Sequence, residues 1–205
     1  MIIPRDRFLP IIDRMGLSLE IYKFVLERIC EFCSAVRECG LPKFFVTFSP
    51  PDNILAMDES VMAVRRTLLE YSLPPDALSV YVSGSNGTLA SRNLKQLAAL
   101  GISIIADDAD GNFFTDAPLE NPDVKIIKLK CSRLSNDPVS EAFVKSLVER
   151  AHEKNILVCV NGVDNADDLR NASAFNADLV QGIINGRPLH TSEFIKKMVM
   201  NRPVR

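Results

Sequence analysis

Three aspartates gather at the end of an apolar segment, in the stretch ISIIADDADGN that runs from Ile102 to Asn112. Asp107 and Asp108 are adjacent, and a third aspartate precedes Gly111. Carboxylates after a buried strand could bridge metal ions, form a calcium loop, remain from a lost catalytic site or make only a polar turn. The calcium loop is excluded, because an EF-hand loop with Gly111 at its sixth position needs a glutamate at its twelfth, where Ala117 stands.

Polar residues also end the other apolar runs of the chain. The runs cover residues 44–49, 78–84, 102–107, 124–130, 156–161 and 178–183, and each ends on a polar residue or a turn. Segments with apolar residues at helical spacing alternate with them, at 17–39, 58–72, 91–100, 139–153, 165–174 and 191–200. SPPDN at 49–53 and SNDP at 135–138 are typical of loops and helix starts. Near-continuous apolar strands that alternate with helices predict a parallel sheet and an α/β fold.

Two architectures bring the ends of parallel strands together. In a (β/α) barrel the carboxyl ends of all strands gather at one mouth, so polar residues that are distant in sequence meet in one site. An open doubly wound sheet also collects polar residues at its strand ends, but it binds nucleotides through a Gly-rich turn after its first strand. The sequence SPPDN after the first run lacks that turn. The pattern therefore favours the barrel over the open sheet.

The composition is that of a soluble globular protein with one domain, residues 1–205. A net charge of −2 and 47% hydrophobic residues give no electrostatic reason to expect nucleic acid or a membrane as partner. The sequence contains no apolar run of the roughly 18 to 20 residues that cross a bilayer, and no signal-peptide core, which predicts a cytoplasmic location. Cys30 and Cys33 form a CxxC pair, but with no second pair we expect buried reduced thiols and not zinc ligands.

The order of the motifs at the strand ends resembles the EAL-domain family of cyclic di-GMP phosphodiesterases. ADD ends the third strand, IKLK the fourth, NGVD follows the fifth and VQG lies in the sixth. In that family a DDFGTG-type motif, a KID motif, an AEGVE motif and a QG motif lie at consecutive strand ends of a (β/α)8 barrel. The segment IPRDRFLPIIDRMGLSLEIYKFVLERI is also similar to the family's N-terminal region. The resemblance spans the whole chain and implies a TIM-type barrel.

The family's chemistry implies a role for each matching residue. Two divalent cations, usually Mg²⁺ or Mn²⁺, activate a water that attacks a phosphodiester, and a further group accepts the proton. Asp107 and Asp108 match the metal-bridging aspartate pair. Lys128 matches the lysine of KID, and Gln181 matches the glutamine before the last glycine. Asp164 stands where AEGVE has its second glutamate, so the resemblance implies that Lys128, Gln181 and Asp164 bind ligand.

Other positions depart from the family's pattern. Thr47 stands at a metal-ligand asparagine and Tyr81 at a metal-ligand glutamate, and a phenol is a poor ligand for a hard cation at neutral pH. Gly84 stands at a second glutamate, and Lys130 at the aspartate of KID. Asn161 stands at the expected general base, and an amide cannot accept a proton at neutral pH. These departures predict that the site does not catalyse phosphodiester hydrolysis.

The EAL tripeptide itself would stand just upstream of Met1, together with the first strands of the barrel. The resemblance therefore implies an incomplete barrel with about six recognisable strands in place of eight. Six strands do not easily close a barrel of this type, and an open edge invites pairing with another chain. We expect a protein partner or a second copy of the chain, whether or not the chain is part of a longer protein.

The sequence predicts a non-catalytic EAL-like regulatory or protein-interaction domain in bacterial cyclic di-GMP signalling. Loss of one essential ligand or base costs orders of magnitude in rate, and several are lost together. A cyclic di-GMP receptor without hydrolysis is the alternative, and an active phosphodiesterase that uses Mg²⁺ or Mn²⁺ ranks last. No cofactor is expected otherwise. Lys130 lies two residues after Lys128, so both side chains should leave the same strand face, and we hypothesise that Lys130 replaces the metal charge. Alternatively, Lys130 is simply solvated.

Overall fold

The computed structural model describes residues 5–40, 44–83, 88, 91–107, 117–134 and 138–200. The helices are α1 (Arg5–Arg14), α2 (Ser18–Glu38), α3 (Asp52–Leu55), α4 (Asp58–Glu70), α5 (Arg92–Ala99), α6 (Ala117–Glu120), α7 (Pro138–Glu153), α8 (Ala166–Ala174) and α9 (Thr191–Met200). The strands are β1 (Val46–Phe48), β2 (Leu78–Ser83), β3 (Ser103–Asp107), β4 (Val124–Lys130), β5 (Leu157–Asn161) and β6 (Leu179–Gln181). Short 3₁₀ turns cover Pro75–Ala77, Cys131–Arg133 and Ile183–Asn185.

Every strand and helix that the periodicity predicts is present, with ends that differ by one or two residues within the described part of the chain. The helices α1 and α6 are additions that the pattern does not predict, and Pro10 lies inside α1, where proline disfavours a helix. The predicted helix starts are confirmed at Asp52, which follows Pro51, and at Pro138. Residues 135–137 of the SNDP segment lie outside the described part. None of the described helices is long and apolar enough to span a membrane.

The residues cluster into two compact units. The first, here called the helical unit, comprises residues 1–78, 92–102 and 191–205. Its helix α2 buries a stripe of residues at helical spacing, and α4 packs against α2. The buried stripe of α2 consists of Tyr22, Leu26, Cys30, Cys33 and Val36.

The CxxC pair lies inside this core. Cys30 and Cys33 are fully buried, and all five cysteines of the chain are free. Burial raises the pKa of the Cys33 thiol to about 11 and that of Cys30 to about 12. Both thiols are therefore protonated at neutral pH. The predicted burial of the pair is confirmed, and both thiols are free in the structure.

The second unit, here called the sheet unit, comprises residues 79–91 and 103–190. Its strands follow chain order from β2 to β6, and each pairs in parallel with the next. One face of the sheet is closed, since Val80, Ile104, Ile127 and Val158 are fully buried. The helix α7 packs against β5. The opposite face bears polar residues at the ends of the strands, among them Asp107, Lys128 and Asn161.

An irregularity in β4 sets which residues meet at the strand ends. Ile104 pairs with Val124 and Ile105 with Ile126, so Lys125 is an extra residue in the ladder between β3 and β4. Uninterrupted pairing from the first of these pairs would have placed Asp107 opposite Ile127, which is fully buried on the other face. The bulge instead brings Lys128 opposite Asp107.

Candidate functional site

The candidate site lies at the carboxyl ends of the strands of the sheet unit. Asp107 of β3 pairs in register with Lys128 of β4, and Lys128 pairs with Cys159 of β5. Register partners on neighbouring strands point to the same face of a sheet, and the strands lie about 4.8 Å apart. These three side chains therefore form one row across the polar face, and each is half-buried.

A second row follows two residues further along the strands. Lys130 pairs in register with Asn161, and Asn161 pairs with Gln181. Lys130 and Gln181 are exposed, whereas Asn161 is half-buried. The structure thus brings Lys128, Asn161 and Gln181 together on one face, as the barrel pattern predicts. It also places Lys130 on the same face as Lys128, as the strand period predicts.

Tyr81 of β2 contacts two residues of the first row, Asp107 of β3 and Lys128 of β4. Its phenol O–H donates a hydrogen bond to Oδ2 of Asp107. The Nζ of Lys128 lies 4.4 Å from the centroid of the same ring, within the range of a cation–π contact. The aromatic ring therefore touches a cation on its face and a carboxylate at its hydroxyl end. We call Lys128, Tyr81 and Asp107 the Lys–Tyr–Asp cluster.

Burial and charge keep the phenol of this cluster protonated. Burial raises the pKa of Tyr81 most, and the hydrogen bond to Asp107 and the charge of that carboxylate raise it further. Burial also raises the pKa of the Cys159 thiol, although the nearby Lys128 ammonium opposes the shift. At neutral pH Tyr81 is a hydrogen-bond donor and Cys159 is a neutral thiol. The only formal charges in this row are those of Asp107 and Lys128.

The described strand ends do not fit a pair of divalent cations. Mg²⁺ and Mn²⁺ bind several carboxylate or carbonyl oxygens, and Tyr81 offers a neutral phenol that already uses its proton on Asp107. Within the described residues no group of three or more His, Cys, Asp or Glu side chains is placed to hold a metal ion. Asp108, the other predicted metal-binding residue, lies outside the described residues. So does Gly84, which stands at a glutamate of the family's pattern. Thr47 is an exposed residue of β1 in the helical unit.

Asp164, a predicted ligand-binding residue, joins two loops of the sheet unit. Its Oδ1 accepts the N–H of Ile183 at 2.9 Å, and its own N–H donates to Oδ2 of Asp168 at 3.0 Å. The carboxylate thereby connects the segment after β5 to the 3₁₀ turn after β6. The role of Asp164 in ligand binding stays a prediction. In the structure its carboxylate accepts a backbone N–H of the 3₁₀ turn after β6.

Sequence reasoning did not identify how tightly the segment after β5 packs on the QG dipeptide. The carbonyl oxygen of Gln181 accepts the N–H groups of Gly162 and Val163 at 2.8 and 3.1 Å. A Cβ on Gly182 would lie 2.0 Å from the carbonyl oxygen of Val163, so only glycine fits there. The glycines of NGVD and VQG are the signal in the sequence, because isolated glycines in strand regions often mark close backbone approach.

A cavity of about 320 Å³ lies in the helical unit. It is lined mainly by apolar side chains of α1, α2 and β1, and Thr47 is among its lining residues. The hydroxyl of Tyr22, another lining residue, donates to the carbonyl oxygen of Ser60 at 3.3 Å. The residue that stands at a metal-ligand position in the family thus lies here beside an apolar space.

Known families and proteins give this fold its context. The family model described as EAL domain matches residues 1–188. The signaling protein YkoW of Bacillus subtilis is 23% identical over 98% of this chain, and the cyclic di-GMP phosphodiesterase PdeF of Escherichia coli is 26% identical over 91%. The chain spans 26% of the length of each of these two relatives.

Solved structures share the fold at similar levels of identity. The PaMucR phosphodiesterase in complex with c-di-GMP superposes with a TM-score of 0.82 at 23% identity, covering 94% of this chain and 81% of that one. The Xanthomonas citri FimX EAL domain in complex with c-diGMP has a TM-score of 0.77 at 18% identity, covering 92% and 78%. These similarities, with the six parallel strands among the described residues, confirm the predicted α/β fold as an incomplete TIM-type barrel.

Proposed function

Because this chain belongs to the EAL-domain family, we propose that it is a regulatory or protein-interaction domain of cyclic di-GMP signalling that does not hydrolyse the dinucleotide. The observation that supports this most strongly is the hydrogen bond from Tyr81 to Asp107. The carboxylate at the metal-bridging position binds a neutral phenol there, and the phenol stands where the family has a second carboxylate. A cation in this place would have one anionic ligand from these two residues where active relatives of this pattern supply two.

The second row of the site supports the same proposal. Asn161, at the expected position of the general base, has an amide that cannot take a proton from water at neutral pH. Its register partners are the lysine Lys130 and Gln181, which is a second amide. This row therefore supplies no group that could activate a water in place of the missing glutamate.

The names of the relatives support the competing hypothesis, in which this chain is an active phosphodiesterase. PdeF is a cyclic di-GMP phosphodiesterase by name, and PaMucR is described as a phosphodiesterase. If the present chain were active in the same way, it would need Mg²⁺ or Mn²⁺ at the ends of its strands. Tyr81 and Asn161 both oppose this, because each replaces a carboxylate by a side chain that is neutral at neutral pH.

A second candidate function is a cyclic di-GMP receptor without hydrolysis. Lys128 and Gln181 lie on one face at the strand ends, where a cation and an amide could contact a phosphate and a base. The FimX EAL domain was solved in complex with c-diGMP, so a domain of this fold can hold the dinucleotide. The contact of Lys128 with the ring of Tyr81 weighs against this candidate, since the ammonium already has a partner.

One titration separates the three readings. Cyclic di-GMP is added to the protein in a calorimeter with Mg²⁺ and then with Mn²⁺, and the linear product is followed by chromatography beside PdeF as a positive control. We expect neither binding nor turnover. Binding without turnover would establish the receptor, and turnover would overturn both non-catalytic proposals.

The receptor reading has its own control within the chain. Lys128→Met should weaken any binding of the dinucleotide by at least about tenfold if this lysine holds a phosphate. Lys125→Met is the matched control on the same strand, because its Nζ is exposed and donates to the carbonyl oxygen of Pro122 at 3.0 Å. Equal effects of the two substitutions would show that the strand-end face does not bind the ligand.

The proposed partner is a protein or a second copy of this chain. Light scattering coupled to size-exclusion chromatography, over a range of concentrations, measures self-association directly. A mass that rises with concentration supports the second copy, and a constant monomer mass leaves the partner as a different protein. The cytoplasmic location stays a prediction from the sequence.

A further inference from the structure

The outer edge of β6 offers a further strand very few backbone groups. Its neighbour among the described strands is β5, and Gln181 of β6 faces β5, because its carbonyl oxygen accepts the N–H groups of Gly162 and Val163. Successive carbonyl groups along a strand point to opposite sides. The carbonyl group of Val180, the middle residue of this three-residue strand, therefore points away from β5, to the side where a further strand would pair.

A side-chain amide of the same chain already binds this outward carbonyl group. The Nδ2 of Asn185 donates to the carbonyl oxygen of Val180 at 2.8 Å, a usual length for an N–H···O hydrogen bond. The amide acts here as the backbone N–H of a neighbouring strand would act. A strand that pairs with β6 must displace the amide, so it exchanges one hydrogen bond for another without a net gain.

The 3₁₀ turn after β6 holds Asn185 in this position. Asn185 is the last residue of the turn. The N–H of Ile183 donates to Oδ1 of Asp164 at 2.9 Å, and the N–H of Ile184 donates to the carbonyl oxygen of Val163 at 3.3 Å. Both contacts fix the turn to the segment after β5. The side chain of Asn185 therefore starts from a fixed backbone, which lowers the entropy cost of its hydrogen bond.

Exposed apolar side chains surround this edge. Leu179 of β6 is 36% exposed, Ile183 and Ile184 of the following turn are 54% and 39% exposed, and Leu157 at the start of β5 is 44% exposed. A sheet edge with exposed apolar side chains is a template for pairing with another chain. An unbound carbonyl group among these side chains would favour edge-to-edge association of two copies.

We propose that Asn185 is an edge cap, which binds the outward carbonyl group of Val180 and keeps β6 from pairing with the β6 strand of a second copy of this chain. The sequence predicts that an open edge of the incomplete barrel invites pairing, and the cap opposes such pairing at β6. A second copy or a protein partner then binds another surface of the domain. The proposal concerns association alone, so it does not depend on whether the domain hydrolyses cyclic di-GMP.

The test compares the self-association of four proteins by light scattering coupled to size-exclusion chromatography over a range of concentrations. They are the wild type, Asn185→Ala, Asn171→Ala, and Asn185→Ala combined with Leu179→Lys. Asn171 is the matched control, because it is an exposed asparagine in α8 of the same unit. One hydrogen bond is worth about fivefold in an association constant, and two copies that pair edge to edge lose two caps.

We therefore expect Asn185→Ala to associate about 25-fold more tightly than the wild type, and Asn171→Ala to associate as the wild type does. Adding Leu179→Lys should return Asn185→Ala to the wild-type level, because a lysine on an edge strand opposes pairing. Equal association of Asn185→Ala and Asn171→Ala would overturn the edge cap. So would an association of Asn185→Ala that Leu179→Lys does not reduce, since it would then involve another surface.

A measurement on the wild type decides if circular dichroism shows that Asn185→Ala does not fold. Hydrogen exchange followed by NMR reports on the side-chain amide protons of both asparagines. Those of Asn185 should exchange with water about fivefold more slowly than those of Asn171, because one of them is hydrogen-bonded to Val180. Equal exchange rates would contradict the edge cap. Turnover of cyclic di-GMP by any of these proteins bears on the proposed function and not on this result.

Discussion

The substitution Gly182→Ala tests the close packing between the two loops at the strand ends. A Cβ on Gly182 would lie 2.0 Å from the carbonyl oxygen of Val163, 2.5 Å from its carbonyl carbon and 2.6 Å from its nitrogen. All three are backbone atoms, so a rotation of a side chain cannot relieve the clash. The segment at Val163 has to move away from β6.

The cost of that movement follows from what holds Val163 in place. Its N–H donates to the carbonyl oxygen of Gln181 at 3.1 Å, and its carbonyl oxygen accepts the N–H of Ile184 at 3.3 Å. Two such hydrogen bonds contribute about 2 kcal/mol together. The side chain of Val163 is fully buried, and exposing part of it costs about 1 kcal/mol more. We expect Gly182→Ala to lower the free energy of unfolding by about 3 kcal/mol.

Urea unfolding followed by far-ultraviolet circular dichroism measures this loss, which suits a chain without tryptophan. With a slope of about 2 kcal/mol per molar urea, the midpoint should fall by about 1.5 M. Gly162→Ala is the matched control, because Gly162 has a positive φ of 83° and its added Cβ would be 4.0 Å from the nearest atom, Cβ of Cys131. Backbone strain alone should cost about 1 kcal/mol there. Equal losses in the two variants would refute the packing argument.

Two further predictions concern the stability of each unit. Asp178→Asn should lower the free energy of unfolding by about 1 to 2 kcal/mol in urea titrations, because Oδ2 of Asp178 accepts the N–H of Val158 at 2.8 Å and lies 2.9 Å from Nε2 of His152; an unchanged midpoint would contradict it. The buried thiols Cys30 and Cys33 predict an alkaline loss of stability, since burial raises their pKa values from 9.0 to about 12 and about 11. Their contribution is complete below pH 9 and is lost as the pH rises through these values, with about 1.4 kcal/mol per thiol gone at pH 10. Urea titrations at pH 8 and pH 10 should show this fall, and Cys33→Ala should reduce it; the same fall in both proteins would disprove the assignment.

Hydrophobic pattern predicted the fold well, because strands and helices repeat their apolar residues at different periods. Runs such as Leu157–Asn161 are continuous enough to indicate a strand of a parallel sheet. The helix α1 escaped prediction because Pro10 contradicts the local pattern, and tertiary packing overrides such preferences.

The contacts of the site could be predicted only in part. Strand period showed that Lys128 and Lys130 share a face, but not that the ammonium of Lys128 meets the ring of Tyr81 on another strand. That meeting depends on the register of three strands at once, including a bulge, and no local property of the sequence encodes it. The hydrogen bond between Tyr81 and Asp107 depends on the same register, so the residue types alone do not predict it.

The bulge in β4 also has a consequence for how relatives of this chain are recognised. Because Lys125 is an extra residue in the ladder, a relative that lacks its counterpart could form a regular ladder and still place its lysine opposite the aspartate. The strand could therefore gain or lose one residue near its beginning without moving its end. In such a relative, the spacing between the aspartates and the lysine would differ by one in sequence while it stays fixed in space. A search for this site that demands constant spacing would miss such relatives, and an alignment should place the gap between Val124 and Ile126.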